Sequence, residues 1–185
     1  MSLAEILDYT YEDYERWEGA WELIDGYPVA MAPASVRKHQ NIAAKIVTVL
    51  TNVVEDAACD DCVVSFENDW KINDTTVVRP DIILTCGDEG EKYLTKAPQI
   101  VIEIVSPSTA KLDERIKYHL YEAEKVPYYI QVYPEDLKAK VYRLENGKFS
   151  KVGDFTKETM RFNGLDCEVE LDFAEVFRKF RKSGA

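Results

Sequence analysis

Long apolar runs are absent from the sequence, and their absence argues against a protein that spans a membrane with helices. No hydrophobic stretch approaches the ~20 residues that a helix needs to cross a bilayer. The N-terminal segment MSLAEILDYTYEDYE is acidic almost from its start, unlike a secretory signal or a transit peptide. We therefore expect a soluble, cytoplasmic protein. Its 185 residues are a typical length for one domain, so we expect residues 1–185 to form a single domain.

Positive charge is also scarce. The chain has 23 lysines and arginines against 34 aspartates and glutamates, a formal net charge of −11. A field of this sign repels phosphate, which excludes a uniformly basic nucleic-acid-binding surface. The shortage of positive charge is confined to the first part of the chain. Residues 1–110 hold 8 basic and 20 acidic residues, whereas residues 111–185 hold 15 basic and 14 acidic residues. Any nucleic-acid partner must therefore contact a local basic patch.

Cysteine is limited to four residues, Cys59, Cys62, Cys86 and Cys167. Cys59 and Cys62 form a CxxC motif, but one such pair supplies only half of a zinc site, and the other two cysteines stand alone. The two aspartates inside the motif would raise the thiol pKa, which opposes a redox role. In the reducing cytoplasm we expect all four cysteines to be free thiols.

The hydrophobic pattern predicts a mixed sheet flanked by helices, of class α/β or α+β, with additional N-terminal and C-terminal hairpins. Apolar residues make up 46% of the chain, enough for a packed core. A hairpin over 21–31 turns at Asp25-Gly26, and a long helix capped by Ser35 runs to about Ala57. The segments 99–105, 110–125 and 128–133 read as strand, helix and strand, which predicts a parallel pair. The apolar residues of the long helix that ends near Ala57 recur at helical spacing and give it one buried face. Further predicted strands are 62–66, 69–72, 76–84, 139–144 and 148–152, the last two joined in a hairpin around Asn146-Gly147. A short first helix is predicted from Tyr11 to about Glu18 with a Thr10–Asp13 capping box, and a last helix follows Asp172 and runs to about Lys182.

Two carboxylates interrupt apolar strands. Asp81 follows a proline in VVRPDIIL, and Glu103 stands in the middle of IVIEIV. An unpaired carboxylate in such a strand would cost several kcal/mol or become protonated, so each needs a compensating partner. Two carboxylates on adjacent strands are suitable ligands for a hard cation such as Mg²⁺. The alternative is that both point out of a half-buried sheet, with Glu103 paired to Arg79 or Lys71.

The helix after Glu103 places Asp113, Lys117 and Tyr121 at intervals of four, on one face. A lysine that faces a carboxylate–metal centre can orient an attacking water and stabilise charge on phosphate. The alternative is an exposed Asp113–Lys117 ion pair, which would contribute only ~0.3–0.5 kcal/mol.

Five short motifs occur in order between about residues 10 and 175. They are Glu22-Leu23-Ile24-Asp25-Gly26, Pro33 with His39-Gln40, Pro80-Asp81-Ile82, Glu103 through Thr109, and Asp113-x-x-x-Lys117-x-x-x-Tyr121. Together they resemble the Uma-type "putative restriction endonuclease" family of bacteria, a branch of the PD-(D/E)XK nuclease superfamily. The resemblance implies a restriction-endonuclease-like sheet with its nuclease core at about 10–175.

The resemblance also implies the roles of the site residues. Asp81 and Glu103 would be catalytic and would hold Mg²⁺ or Mn²⁺, and Glu22 would complete the acidic cluster or hold a second ion. The superfamily lysine lies two residues after the glutamate, where this chain has Val105. The family implies instead that Lys117 is the catalytic lysine, supported by Asp113 and Tyr121. Another departure is Tyr133, at a place where the family usually has an acid.

Arg37, Lys38, His39 and Lys111 are the candidates for contact with nucleic acid. The first three begin the long helix, in a part of the chain that is otherwise acidic or neutral, and could meet phosphate there. The alternative is an ordinary solvated first turn in which His39 has a capping role.

These features predict a metal-dependent endonuclease, with nucleic acid as partner and DNA favoured over RNA. Cleavage of both strands of a duplex commonly needs two active sites, which favours a homodimer. The alternative is a catalytically inactive module with a nuclease fold that binds DNA or serves as a regulatory component. A small-molecule phosphohydrolase is a third possibility, but the sequence has no glycine-rich loop to bind phosphate.

Overall fold

The computed structural model describes residues 8–31 and 37–181. Pro33 and the predicted cap Ser35 lie outside the described residues. The strands are β1 Trp21–Ile24, β2 Tyr27–Ala30, β3 Cys62–Phe66, β4 Trp70–Asn73, β5 Thr76–Val78, β6 Ile82–Cys86, β7 Ile100–Ile104, β8 Tyr128–Tyr133, β9 Lys138–Glu145, β10 Lys148–Phe155, β11 Thr159–Phe162 and β12 Val169–Asp172. The α-helices are α1 Tyr11–Tyr14, α2 Arg37–Asp56, α3 Tyr118–Ala123 and α4 Phe173–Phe177.

A six-stranded sheet in the order β10-β9-β8-β7-β6-β3 forms the centre of the fold. Strands β7 and β8 pair in parallel, as the strand–helix–strand pattern predicted, and the neighbouring pairs are antiparallel. Both β7 and β8 are buried over almost their full length, which explains their continuous apolar sequence. The hairpin of β9 and β10 at Asn146-Gly147 is also as predicted.

A second sheet of four strands, in the order β2-β1-β5-β4, joins the N-terminal hairpin to strands from residues 70–78. Its β1–β2 hairpin turns at Asp25-Gly26, and both turn residues have positive φ, 50° and 79°. Tight hairpin turns of this kind need positive φ at both central residues, which Asp-Gly readily adopts, so the sequence predicted the turn correctly. The hairpin contributes the buried side chain of Glu22 to the site described below.

The prediction of one strand over 76–84 was wrong. Strand β5 ends at Val78 and belongs to the four-stranded sheet, whereas β6 begins at Ile82 and belongs to the six-stranded sheet. The residues between them include Pro80, which has no backbone N–H to donate within a strand and so favours a break there. The break brings the two sheets together beside Asp81.

Helix α2 covers one face of the six-stranded sheet. Its buried residues recur at helical spacing and pack in the larger hydrophobic core. They are Ile42, Ile46, Val49, Leu50 and Val54. The opposite face carries a second core, in which Tyr121 of α3 stacks with Trp70 and contacts Tyr129 edge to face.

One hairpin was not predicted, and two helices are shorter than predicted. Strands β11 and β12 pair antiparallel after the β9–β10 hairpin. Helix α1 stops at Tyr14 rather than near Glu18, although its predicted Thr10–Asp13 capping box is present. The last helix begins after the predicted cap Asp172 but ends at Phe177, followed by a 3₁₀ turn over Arg178–Phe180.

The expectation of four free thiols was also wrong. Cys59 is bonded to Cys167 and Cys62 to Cys86, so the structure contains two disulfides. Cys62 and Cys86 lie directly opposite each other on β3 and β6, a cross-strand relation that the CxxC spacing concealed. Disulfides are typical of oxidising compartments, so the pairing does not support the predicted cytoplasmic location. Within the described residues, no helix combines the length and apolar character that a membrane crossing requires.

Candidate active site

Asp81 lies directly before β6 and Glu103 lies on the neighbouring strand β7, where the two carboxylates approach each other. Ile82 of β6 is opposite Ile102 of β7, and the same antiparallel register brings Asp81 opposite Glu103. The Asp81 backbone N–H donates to Glu103 Oε2 over 3.3 Å, and the Ile104 N–H donates to Asp81 Oδ2 over 2.7 Å. Each carboxylate is therefore oriented by the backbone of the other's strand.

Lys117 is the buried cation of this site. Its Nζ lies 2.8 Å from Glu22 Oε1, 3.0 Å from Glu103 Oε1 and 4.0 Å from Asp113 Oδ1. Lys117 and Asp113 are each 3% exposed, so the alternative of an exposed surface pair is wrong. Arg79 and Lys71, the other partners considered for Glu103, instead bind Asp69 and Asp74.

The chain that carries Lys117 is not a regular α-helix. Residues Leu112–Lys117 form a π-helical segment that continues into α3. A π turn is an uncommon geometry that often occurs at functional sites. It delivers Asp113 and Lys117 to the buried face together with Tyr121 of α3, whose hydroxyl donates to Glu103 Oε1 over 2.7 Å.

Glu22 reaches the cluster from the other sheet. Its side chain is 1% exposed, and its Oε1 accepts from the Arg79 backbone N–H over 2.7 Å. Arg79 lies in the break between β5 and β6, so the same break orients both Glu22 and Asp81. The three sequence-predicted acids and the lysine thus meet in one place.

Burial changes the protonation of these groups. It raises the pKa of the Glu103 carboxyl well above its usual range, against the opposing effect of Lys117 and with a further increase from nearby Asp113. Burial also raises the pKa of Asp113 to about 6, again against Lys117. Burial works to lower the pKa of Lys117, but the surrounding carboxylates, Glu103 first, raise it above its usual value. The lysine is therefore held as a cation.

His39 lies against Asp81 rather than in an open first turn. Its Nε2 is 3.5 Å from Asp81 Oδ2, and its Nδ1 is buried without a hydrogen-bond partner. Burial lowers the pKa of His39, but the Asp81 carboxylate outweighs this effect and the net change is upward. The predicted contact of His39 with nucleic acid remains a prediction. In the structure the His39 side chain lies beside the Asp81 carboxylate.

The other predicted nucleic-acid contacts do not join the cluster. Arg37 and Lys111 are exposed. Lys38 Nζ is 3.3 Å from Glu135 Oε2 in a solvent-exposed pair. Because exposed pairs are weak, Lys38 stays available to a phosphate.

The described residues contain no preformed group of three or more His, Cys, Asp or Glu side chains with metal-binding geometry. The donors at hand are the carboxylates of Asp81 and Glu103. Mg²⁺ keeps several waters and commonly takes only one or two protein carboxylates, so this donor set fits Mg²⁺. It does not fit an ion that requires four protein ligands, such as structural zinc.

Two groups at the site were not singled out from the sequence. Gln131 of β8 lies beside Glu103 in the parallel register, and its Nε2 donates to the Asp113 carbonyl over 3.2 Å. The Tyr129 hydroxyl donates to the same carbonyl over 2.8 Å. Together they hold the π-helical segment in place. A polar residue within the apolar strand YYIQVY was the available signal, of the same kind that identified Glu103.

A groove of about 480 Å³ reaches the site from the surface. One wall is α2, and the other is the end of β3 with Phe66 and Glu67. Asp81 and His39 lie in the lining. The Asp81 side chain is 20% exposed, whereas that of Glu103 is 3% exposed, so Asp81 is the more accessible carboxylate of the pair.

Comparison with known proteins places this geometry in context. A family model described as "Putative restriction endonuclease" (Uma2) matches residues 11–174. A curated protein of Synechocystis sp., described as uncharacterized, is 31% identical over 120 residues. That match covers 60% of each chain, so the present chain aligns with less than two thirds of this relative.

A solved structure has a similar fold. It is the crystal structure of "a putative nuclease belonging to DUF820" from Anabaena variabilis, with a TM-score of 0.70 and 19% sequence identity. The match covers 91% of this chain and 97% of the other. At this identity the likeness concerns the fold, and it agrees with the predicted restriction-endonuclease-like architecture.

Proposed function

Because the chain belongs to the Uma2 "Putative restriction endonuclease" family, we propose that it is a metal-dependent endonuclease that hydrolyses phosphodiester bonds in nucleic acid, with DNA as the favoured substrate. The observation that carries the proposal is the convergence of Asp81, Glu103 and Lys117 at one break between two sheets. The two buried glutamates that contact Lys117, Glu22 and Glu103, add to the support.

Each residue has a distinct role in the proposed reaction. Asp81 and Glu103 would hold a Mg²⁺ or Mn²⁺ ion. When bound, the ion neutralises phosphate charge and lowers the pKa of a water molecule. Lys117 supplies a fixed positive charge where negative charge develops on the phosphate.

Glu22 and Tyr121 orient the other groups. Glu22 lies 2.8 Å from the Lys117 ammonium and restrains it together with Glu103. Tyr121 donates to Glu103 Oε1, the oxygen that also contacts Lys117. The second oxygen, Oε2, has only the long contact with the Asp81 N–H and is the one more readily released toward a cation.

The test is a nuclease assay on end-labelled single-stranded DNA, duplex DNA and RNA, each with Mg²⁺, Mn²⁺ or EDTA. We expect cleavage that needs the divalent ion and is lost in Asp81→Asn and in Glu103→Gln. Glu122→Gln is the matched control, because Glu122 is a buried glutamate whose partners, Lys148 and Phe149, lie outside the site. It should retain activity.

Metal binding has a readout independent of cleavage. An ion that binds only the folded state raises the melting temperature. Mg²⁺ or Mn²⁺ should therefore raise it for the wild type and Glu122→Gln. An equal rise in the double variant Asp81→Asn/Glu103→Gln would show that the ion binds elsewhere.

The second candidate is a nuclease-fold module that binds DNA without cutting it. Two observations favour it. The chain has a net charge of −11, and the superfamily's lysine position is occupied by Val105, a buried residue that is only 6% exposed. Metal-dependent stabilisation and nucleic-acid binding without cleavage of any substrate would select this candidate.

A further inference from the structure

The groove beside Asp81 has a lining that is unsuited to a duplex backbone. Among the described residues, its walls contain no lysine or arginine and include the carboxylates of Glu67 and Asp81. Lys45, the one lysine of α2 beyond its first turn, lies 2.6 Å from Glu175 Oε1 and is engaged there. Binding to duplex DNA depends mainly on cations that neutralise phosphates, and this groove offers none beyond His39.

The groove does offer flat apolar surface. Phe66 is 64% exposed, an unusual exposure for a phenylalanine, and its ring stands across the groove from Ala43, Ala44 and Val47 of α2. Alternation along β3 turns Phe66 toward the helix, on the same side as Val64, which packs on the core. Aromatic rings are the usual platform for stacking of unpaired bases.

The groove is continuous with the proposed catalytic centre. Phe66 is paired in register with Ile82, the residue next to Asp81, and the Glu67 N–H donates to the Asp81 carbonyl over 3.1 Å. Along α2 the lining runs from His39 to Thr48, which is ~14 Å at 1.5 Å per residue. An occupant of the groove therefore extends from Asp81 along the helix.

We infer that this groove is a base-stacking subsite and that the substrate is a nucleic acid with unpaired bases, bound with a base on Phe66 next to the cleaved phosphate. The inference rests on the proposed nuclease function. Its physical reason is that a single strand exposes base faces to an apolar wall, whereas a duplex presents its charged phosphates. A second copy of the chain packed on Phe66 is the competing occupant.

The experiment measures binding in EDTA by fluorescence anisotropy, so that cleavage does not enter. The probes are a labelled single-stranded oligonucleotide, its duplex, and a strand of the same length with abasic sites. We expect the single strand to bind at least ~10-fold more tightly than the duplex or the abasic strand. Phe66→Ala should weaken single-strand binding by ~10-fold or more, the effect of one lost stacking contact, and Phe66→Tyr should restore it.

Val63→Ala is the matched control, because Val63 is 57% exposed on the same strand but does not line the groove. It should bind like the wild type. Equal binding of duplex and single strand, or single-strand binding that Phe66→Ala leaves unchanged, would overturn the inference. A wild-type dimer that becomes a monomer in Phe66→Ala, measured by light scattering, would overturn it in favour of a second copy.

The two proposals fail in different ways. Cleavage that needs Asp81 but is unaffected by Phe66→Ala at low substrate concentration would overturn the subsite and keep the nuclease. Tight, Phe66-dependent binding of single strands without cleavage under any metal would overturn the nuclease and keep the subsite.

Discussion

Glu103 and Glu122 are both buried glutamates, but their partners differ in kind. Glu122 accepts the Phe149 N–H over 2.7 Å and Lys148 Nζ over 2.9 Å, and the Lys148 side chain is 80% exposed. Donation from the Phe149 N–H, together with Lys148, lowers the pKa of Glu122. Around Glu103, burial outweighs Lys117 and raises the pKa.

The difference separates a carboxylate with a structural role from the one to which we assign a role in the proposed reaction. Glu122 has a donor for each oxygen and a lysine that remains in water, so its charge is fully compensated. The other cluster has three buried acids, Glu22, Glu103 and Asp113, around the single cation Lys117. Buried charges require partners. Burial with only one cation to compensate it raises the pKa values of Glu103 and Asp113, and a divalent cation would relieve this shortage of positive charge.

Replacement of the two lysines gives the largest expected contrast. Lys117→Met should lower the free energy of unfolding by ~3–5 kcal/mol, because it leaves buried acids without their cation. It should also lower turnover by ~10²-fold or more. Lys148→Met should change stability by no more than ~1 kcal/mol. Urea unfolding measures the stability of both variants. Equal losses of stability would mean that the two lysines stabilise their glutamates to the same extent.

Asp113→Asn sharpens the comparison through pH. The pKa of Asp113 is raised to about 6, so the folded state keeps this proton above the pH at which the unfolded chain loses it. Wild-type stability should therefore fall as the pH rises between about 4 and 6, by about 3 kcal/mol from this group. Urea unfolding of Asp113→Asn across this pH range should show no such loss of stability. Asp154→Asn, which alters an exposed aspartate paired with Lys151, should keep it.

Glu103→Gln and Glu122→Gln should change the pH dependence in opposite directions. The raised pKa of Glu103 makes wild-type stability fall as the pH rises above the usual glutamate range, by up to ~1.4 kcal/mol per pH unit, and Glu103→Gln removes this fall. The lowered pKa of Glu122 contributes stability that is lost as the pH falls through its folded value, and Glu122→Gln removes that loss. If both substitutions changed the slope of stability against pH in the same direction, the opposite pKa shifts assigned to Glu103 and Glu122 would be contradicted.

Tyr121→Phe is expected to have the smallest effect. It deletes one hydrogen bond to Glu103 and keeps the ring that stacks on Trp70. We expect a loss of about 1 kcal/mol in stability, the net contribution of one hydrogen bond, and a further rise in the pKa of Glu103 seen as a shift in the pH profile of activity. Tyr118→Phe, which removes a bond to the Phe149 carbonyl, is the control and should leave that profile unchanged.

Local chemistry determined much of this protein. The Asp25-Gly26 and Asn146-Gly147 turns, the apolar stripe of α2 and the strand–helix–strand segment around Glu103 follow from backbone preferences and periodicity, and each was predicted from the sequence. Asp81 and Glu103 were recognisable because a charge within an apolar strand needs a compensating partner. The role proposed for Lys117 came from family resemblance, since helical spacing alone also allowed an exposed pair.

Only the tertiary structure decided which of these residues meet. The strand predicted over 76–84 divides at Pro80 between two sheets, and that division brings Glu22 to Lys117 from nearly a hundred residues away. The cysteines pair through strand register and not through the CxxC motif, and Phe66 becomes part of a groove only because α2 packs beside β3. The physical reason is that periodicity reports the environment of each residue along its own element, whereas long-range partners depend on how the elements pack against one another.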